Sequence, residues 1–189
     1  MKIALINNHT KHLLELQTLL QNYGLVTVFE YSPELDWYFA NNFDLLVLSG
    51  GPTPFSKNFA GYWDNQFNFI INSAVPIIGI CLGFELICLA FEQGLSKHKI
   101  KKRGLQSVVY NSKTYKVWES HFYYLKQAKT PLQSLATSGS EIQIIKHISK
   151  PIFGLQFHPE VREEGSTGHL IFEGLVGNVL KNITINIGL

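Results

Sequence analysis

"VPIIGICLGFE", residues 75 to 85, decides how the chain folds. Its first six residues form an apolar run of the length expected for a strand buried on both faces. From Leu82 an apolar helical pattern continues to about Gln93. Strand and helix therefore meet at Cys81, between Gly79 and Gly83. Glycine has no Cβ, so the backbone can turn sharply there and other groups can approach closely. A cysteine in such a turn is the thiol counterpart of the Gly-x-Ser-x-Gly nucleophile elbow. The turn lifts the side chain out of the carboxyl edge of the sheet, where open α/β sheets bind ligands. The helix N-terminus beneath it favours a thiolate. An unselected cysteine is more often a buried structural residue, and Cys88, mid-helix between Ile87 and Leu89, reads that way. The flanking glycines set Cys81 apart from it.

Outward from this junction, strand and helix patterns alternate toward the N-terminus. "KIALIN" (residues 2–7), "LVTVFEY" (25–31) and "DLLVLS" (44–49) are short apolar runs. Helical patterns cover about Thr10 to Asn22, a short stretch from Pro33, and about Phe59 to Asn72. Apolar runs spaced by helices indicate a parallel sheet covered on both sides. Toward the C-terminus, "LQSVVYN", "KTYKVWES", "LQSLATSG", "EIQIIKH" and "PIFGLQFH" are strand-like and joined by short turns. A last helix is expected from Ser166 to Leu180. The expected fold is α/β: a mostly parallel central sheet with helices on both faces, plus a smaller antiparallel portion. The 189 residues suit one domain spanning 1–189.

Composition narrows the function classes. Apolar residues make up 46% and charged residues 16%, and the formal net charge is +2. That balance gives no reason to expect nucleic acid or an anionic membrane as partner. Two cysteines do not form a disulfide framework, so a reducing, cytoplasmic setting is expected. "MKIALINNHTKHL" turns polar too early for a signal peptide, and no apolar stretch reaches the ~18 residues of a membrane helix. The sequon at Asn182-Ile183-Thr184 is therefore expected to be unused.

A thiolate nucleophile needs a base that also protonates the leaving group. Of the seven histidines, His9, His12, His98, His147 and His169 lie in polar or helical contexts typical of the surface. His121, in "WESHF", follows a strand pattern. His158, in "LQFHPEV", follows the last apolar run and is expected on the same sheet edge as Cys81. In extended chain, residues two apart point to the same side. Glu160 can therefore hydrogen-bond the far nitrogen of His158 and fix its tautomer. Read alone, the same residues also fit a turn with a capped histidine. Acyl transfer further needs donors for an oxyanion. "SGGP" (49–52) ends the third apolar run, where Gly51 can present an unobstructed backbone N–H, and the N–H of Leu82 follows the nucleophile. Gly-Gly and Gly-Pro also mark plain turns anywhere.

Taken in order, "LSGGP", "GICLG", "VWESH" and "GLQFHPEV" resemble the signature of the class I, triad-type glutamine amidotransferases, from Ile3 to the last helix. "KVWESH" and "FGLQFHPEV" are most similar to the glutaminase subunit or domain of GMP synthetase. Component II of anthranilate or aminodeoxychorismate synthase is a further relative, which usually differs at "ESH". The resemblance implies a triad of Cys81, His158 and Glu160, with an oxyanion hole from Gly51 and Leu82. It places Gly50, Glu85, Ser120 and His121 at the substrate. It implies hydrolysis of L-glutamine through a Cys thioester, with neither metal nor organic cofactor. Ammonia would pass to a separate ATP-dependent synthetase subunit, since no Gly-x-x-x-x-Gly-Lys stretch is present here.

Three residues depart from the pattern. Glu85 stands where a glutamine usually helps hold the substrate, and an ionised carboxylate cannot donate as an amide does. An acidic residue in the first turn of a helix is also favourable on dipole grounds alone. Tyr123 stands where an aspartate commonly follows the Ser-His pair, and Lys102 where an acidic residue is common two places before a glycine. These departures leave open a hydrolase of another γ-glutamyl amide or peptide, and a catalytically silent binding or regulatory subunit. Phe55, Phe59, Tyr62 and Trp63, after the glycine loop, are expected in the core.

Overall fold

The computed structural model describes residues 1–52 and 61–186. In chain order the elements are β1 (Lys2–Asn7), α1 (Leu13–Gln21), β2 (Leu25–Glu30), a 3-10 helix (Trp37–Asn42) and β3 (Leu45–Leu48). Then come α2 (Asp64–Asn72), β4 (Ile77–Ile80), α3 (Leu82–Ala90), β5 (Leu95–Tyr110) and β6 (Lys113–Leu125). β7 (Leu132–Ser138), β8 (Glu141–His147), β9 (Ile152–Leu155) and α4 (Gly168–Asn186) complete the order.

The short apolar runs build one side of the sheet. β2, β1, β3, β4 and β9 lie side by side with every neighbouring pair parallel. Successive side chains of a strand point to opposite faces, and here both faces are buried. Ile3 and Leu5 of β1 pack with Leu16 and Leu20 of α1 and with Phe172 and Leu175 of α4. Ala4 and Ile6 pack on the other face with Ile70 of α2 and Leu82, Phe84 and Leu86 of α3. Each such fully buried leucine or isoleucine contributes about 1.5–3 kcal/mol of hydrophobic stabilisation.

The antiparallel portion is larger than the sequence suggests. β9 pairs antiparallel with β8, and β6, β5 and β7 extend the sheet beyond it. β5 and β6, at 16 and 13 residues, are its longest strands. The expectation of a smaller antiparallel portion is therefore corrected. The first half of β5, "LSKHKIKKRG", carries too many charges to read as a strand, and its pairing with β6 supplies the order.

Element ends also shift. α1 begins at Leu13 rather than near Thr10, because the preceding residues close a turn. Thr10 N–H donates to Asn7 Oδ1 at 2.9 Å and His12 N–H to Thr10 Oγ1 at 3.2 Å. The helical stretch expected from Pro33 is the 3-10 helix, capped where Asp36 Oδ1 accepts from Tyr38 N–H at 2.9 Å. α2 begins at Asp64; Phe55 and Phe59 lie outside the described residues. Trp63 is in the core, stacked on Tyr31 with centroids 4.9 Å apart, and Tyr62 packs against the same cluster. His147 is buried rather than superficial, its Nδ1 accepting from the N–H groups of Ser149 and Lys150 at 3.1 and 3.0 Å. Among the described residues no helix is long and apolar enough to cross a membrane.

Candidate active site

Cys81 sits between β4 and α3 with φ 51° and ψ −100°, a backbone conformation that L-residues rarely adopt. Its own N–H donates to Leu155 O at 2.7 Å, which ties the turn to the end of β9, and its carbonyl accepts from Glu85 N–H at 3.0 Å to start the helix. The glycines around it are required by contact. A Cβ on Gly79 would overlap the Gly83 carbonyl, and one on Gly83 would overlap the Leu48 carbonyl. The helix thus lies directly on the backbones of β4 and β3, and the thiol is brought to the carboxyl edge.

His158 lies three residues past β9, held by its N–H to Trp118 O of β6 at 2.8 Å. Its Nδ1 is 2.8 Å from Glu160 Oε1. A carboxylate only accepts, so this contact puts a proton on Nδ1 and leaves Nε2 for the thiol. The ring is hydrogen-bonded to Cys81 as well. Burial opposes a charge on His158. The Cys81 thiolate and the Glu160 carboxylate outweigh that, and hold its pKa well above the ordinary imidazole range. Glu160 itself is buried at 2% exposure, which keeps its charge unscreened beside the ring.

The glycine loop closes over this pair. A Cβ on Gly50 would stand 3.0 Å from His158 Cε1 and 3.5 Å from Cys81 Cβ. Gly51 lines the cavity next to Cys81. Asn8 fixes the loop, donating from its N–H to Ser49 Oγ at 2.8 Å and from Nδ2 to Ser49 O at 3.2 Å. Leu82 is the first residue of α3, where a helix has backbone N–H groups without intrahelical partners.

A cavity of about 320 Å³ opens on the thiol, lined by Cys81, His158, Gly51, Pro52 and Ser120, by His9, Thr10, Lys11 and His12 of the β1–α1 connection, and by Lys101 of β5. Its size suits a small metabolite. A larger groove of about 580 Å³, beside the 3-10 helix and α2, holds no thiol or histidine among its lining residues. Ser120 faces the small cavity, its carbonyl oxygen 3.9 Å from Cys81 Sγ. His121 points the other way. It is buried, with Nδ1 2.8 Å from Tyr123 O and Nε2 3.0 Å from Glu119 Oε2. Glu85 is also fully buried, its Oε1 accepting from Gln156 Nε2 at 3.4 Å, and it is not among the lining residues. Of the four residues expected at the substrate, Ser120 reaches the cavity, Gly50 packs against the reacting pair, and His121 and Glu85 are turned into the interior.

His12 is the residue that sequence reasoning places wrongly. Its polar context predicts the surface, yet its ring lies 5.4 Å from that of His158, edge to face, and it lines the cavity. Burial, then the charge of His158, lower its pKa. Its position as N-cap of α1 without a side-chain capping bond is the one local signal, since Ser, Thr, Asp or Asn is favoured there. Glu119, His121 and Glu141 bring donor atoms within 4.8 Å of one another, a set able to hold a cation. The Lys102 ammonium already serves there, 2.9 Å from a carboxylate oxygen of each glutamate. Burial works against that charge, but the two carboxylates raise the Lys102 pKa.

Comparison with known proteins bears on this arrangement. Residues 4–178 match the family described as glutamine amidotransferase class-I. The chain is 31% identical over 188 residues to the A-type subunit of the glutamine-hydrolyzing GMP synthase of Methanobrevibacter smithii, covering 92% of this chain and 93% of that one. It is 30% identical over 165 residues to the GMP synthase of Spiroplasma kunkelii, covering 82% of this chain but 31% of that one, so it spans about a third of that relative. The solved structure of a protein assigned as an A-type GMP synthase subunit, from Thermoplasma acidophilum, superposes with a TM-score of 0.84 at 26% identity, covering 98% of this chain and 97% of that one.

Proposed function

The chain belongs to the class I glutamine amidotransferase family and has its α/β fold, and we propose that it is the glutaminase component of a two-subunit GMP synthase. The observation that carries the reading is the hydrogen-bonded line of Cys81, His158 and Glu160 at the mouth of a small cavity. Residues 1–189 act as one glutaminase domain, in the cytoplasm, on L-glutamine.

In this reading Cys81 attacks the side-chain amide carbon. The thiolate–imidazolium pair supplies the nucleophile without a separate deprotonation step. The C–S bond forms as the carbonyl π electrons move to oxygen, and the N–H groups of Gly51 and Leu82 stabilise that oxyanion. His158 gives its Nε2 proton to the departing nitrogen, and ammonia leaves a γ-glutamyl thioester on Cys81. His158 then takes a proton from water, which attacks the thioester and releases glutamate. Glu160 keeps the ring in one tautomer and stabilises its cationic form throughout. Ammonia passes to a separate ATP-dependent synthetase subunit, as the names of the archaeal relatives suggest.

The test is glutamate release from L-glutamine by the wild type and Cys81→Ala, each alone and with the synthetase subunit of the same genome. Release that depends on Cys81, alone or with the partner, is the expected result. Release equal in both proteins, or absent from both under both conditions, overturns the reading.

A further inference from the structure

We propose that Lys101 determines substrate specificity by binding the α-carboxylate of the amino-acid substrate, and that His98, Glu141 and Lys102 form the clamp that presents it. The inference rests on the glutaminase reading.

The starting point is an irregularity in the sheet. From Lys97 to Lys102, β5 takes five steps where β6 takes two, from Tyr123 to His121. The extra residues form a bulge, and bulges beside active sites re-aim side chains. Ile100 in this bulge is 83% exposed, while Lys101 next to it lines the cavity over Cys81.

Left to itself such a bulge is a poor platform, since it carries Lys97, Lys99, Lys101 and Lys102 close together. One carboxylate gathers its two ends. Glu141 Oε1 is 3.4 Å from His98 Nε2, and its Oε2 is 2.9 Å from Lys102 Nζ. Lys102 is tied again to Glu119, which is fully buried, at 2.9 Å. The His98 ring stacks on Tyr124 with centroids 4.2 Å apart. The backbone on both sides of Lys99–Lys101 is thus fixed by buried or half-buried charges, and only the presented segment is free to face the cavity.

The chemistry of the cavity completes the case. Its basic side chains are His9, Lys11, His12, Lys101 and His158, and no carboxylate lines it among the described residues. A carboxylate drawn out of water needs a cation or several donors. Glu85 occupies the helical position from which an amide would help hold the substrate, and it is buried away from the lining residues. A lysine on the clamped bulge supplies the missing donor from the opposite wall.

The test reads alkylation of Cys81 in the full-length chain by intact mass. The probes are the glutamine-shaped diazoketone 6-diazo-5-oxo-L-norleucine and its α-methyl ester, which differ in the free carboxylate alone. Their rate ratio cancels changes in thiol reactivity. The wild type should favour the acid, Lys101→Met should lower that preference about five- to tenfold, and Lys101→Arg should keep most of it. Glu141→Gln, which loosens the clamp, should lower it partway. A Lys101→Met protein with the wild-type ratio, or a wild type without preference, overturns the inference and leaves the glutaminase reading standing. A wild type that reacts at Cys81 with iodoacetamide but with neither diazoketone overturns both.

Discussion

The imidazole of His12 stands edge-on to that of His158, with ring centroids 5.4 Å apart and planes at 62°. Their pKa values move in opposite directions. Burial and the neighbouring charge push His12 down, while the Cys81 thiolate and Glu160 push His158 up against its own burial. Two histidines in one cavity therefore hold different protonation states at neutral pH, which lets one carry the mobile proton while the other packs against it as an uncharged ring.

The lowered pKa of His12 fixes the sign of a stability effect. A group whose folded pKa lies below its unfolded value stabilises the fold fully above about pH 6.5 and loses that contribution as pH falls through the lowered folded value. In urea unfolding, the stability of the wild type relative to His12→Phe should shrink from pH 7 to pH 5. A difference that stays constant with pH would show that His12 is not held neutral by the fold.

For His158 the sign is reversed. Its contribution is complete below the unfolded pKa and is lost as pH rises through the raised folded value. Glu160→Gln removes one cause of the rise, so the alkaline limb of Cys81 alkylation should move to lower pH. Glutamate release at neutral pH should fall about 10²- to 10⁴-fold. An unmoved alkaline limb would mean that the carboxylate does not act on the ring.

Lys102 is the cation between two acidic side chains, one of them fully buried. Lys102→Met leaves those charges uncompensated and should destabilise the protein by about 2–3 kcal/mol. Adding Glu119→Gln removes one of them and should restore part of the loss. Chemical denaturation of the single and double variants checks this, and equal stabilities for wild type and Lys102→Met would contradict the assigned network.

The two cysteines should react differently. Burial holds the Cys88 thiol well above its ordinary pKa, with Glu85 adding to the effect, whereas Cys81 opens on the cavity. Brief treatment of the native protein with iodoacetamide should add one group, and none to Cys81→Ala. Two adducts on the native chain would contradict the burial of Cys88.

How much of this is legible in the sequence depends on how local each signal is. The parallel strands are unbroken apolar runs, and the Cys81 turn announces itself through two glycines within five residues. His158 and Glu160 need the two-residue period of extended chain and nothing more. The first half of β5 carries no such signal, because its residues alternate between exposed and half-buried and its order comes from β6. His12 is hidden for a related reason. Its neighbour along the helix, Glu15, makes it look like a surface residue, and only the closure of the sheet brings it to His158. Glu85 misleads in the other direction, since its place in the motif points to the substrate while the helix turns it into the core.

The φ of 51° at Cys81 sets the chemistry of this chain against its own folding. Glycine would relieve a strain of about 1–3 kcal/mol at that position, and it would leave the contacts of Gly79 and Gly83 untouched. The nucleophile is thus a tenant that the scaffold would shed without selection for its thiol. Lineages released from glutamine chemistry should drift at position 81 toward glycine while the two flanking glycines stay, so that an inactive descendant could keep the same architecture and gain thermal stability from the loss.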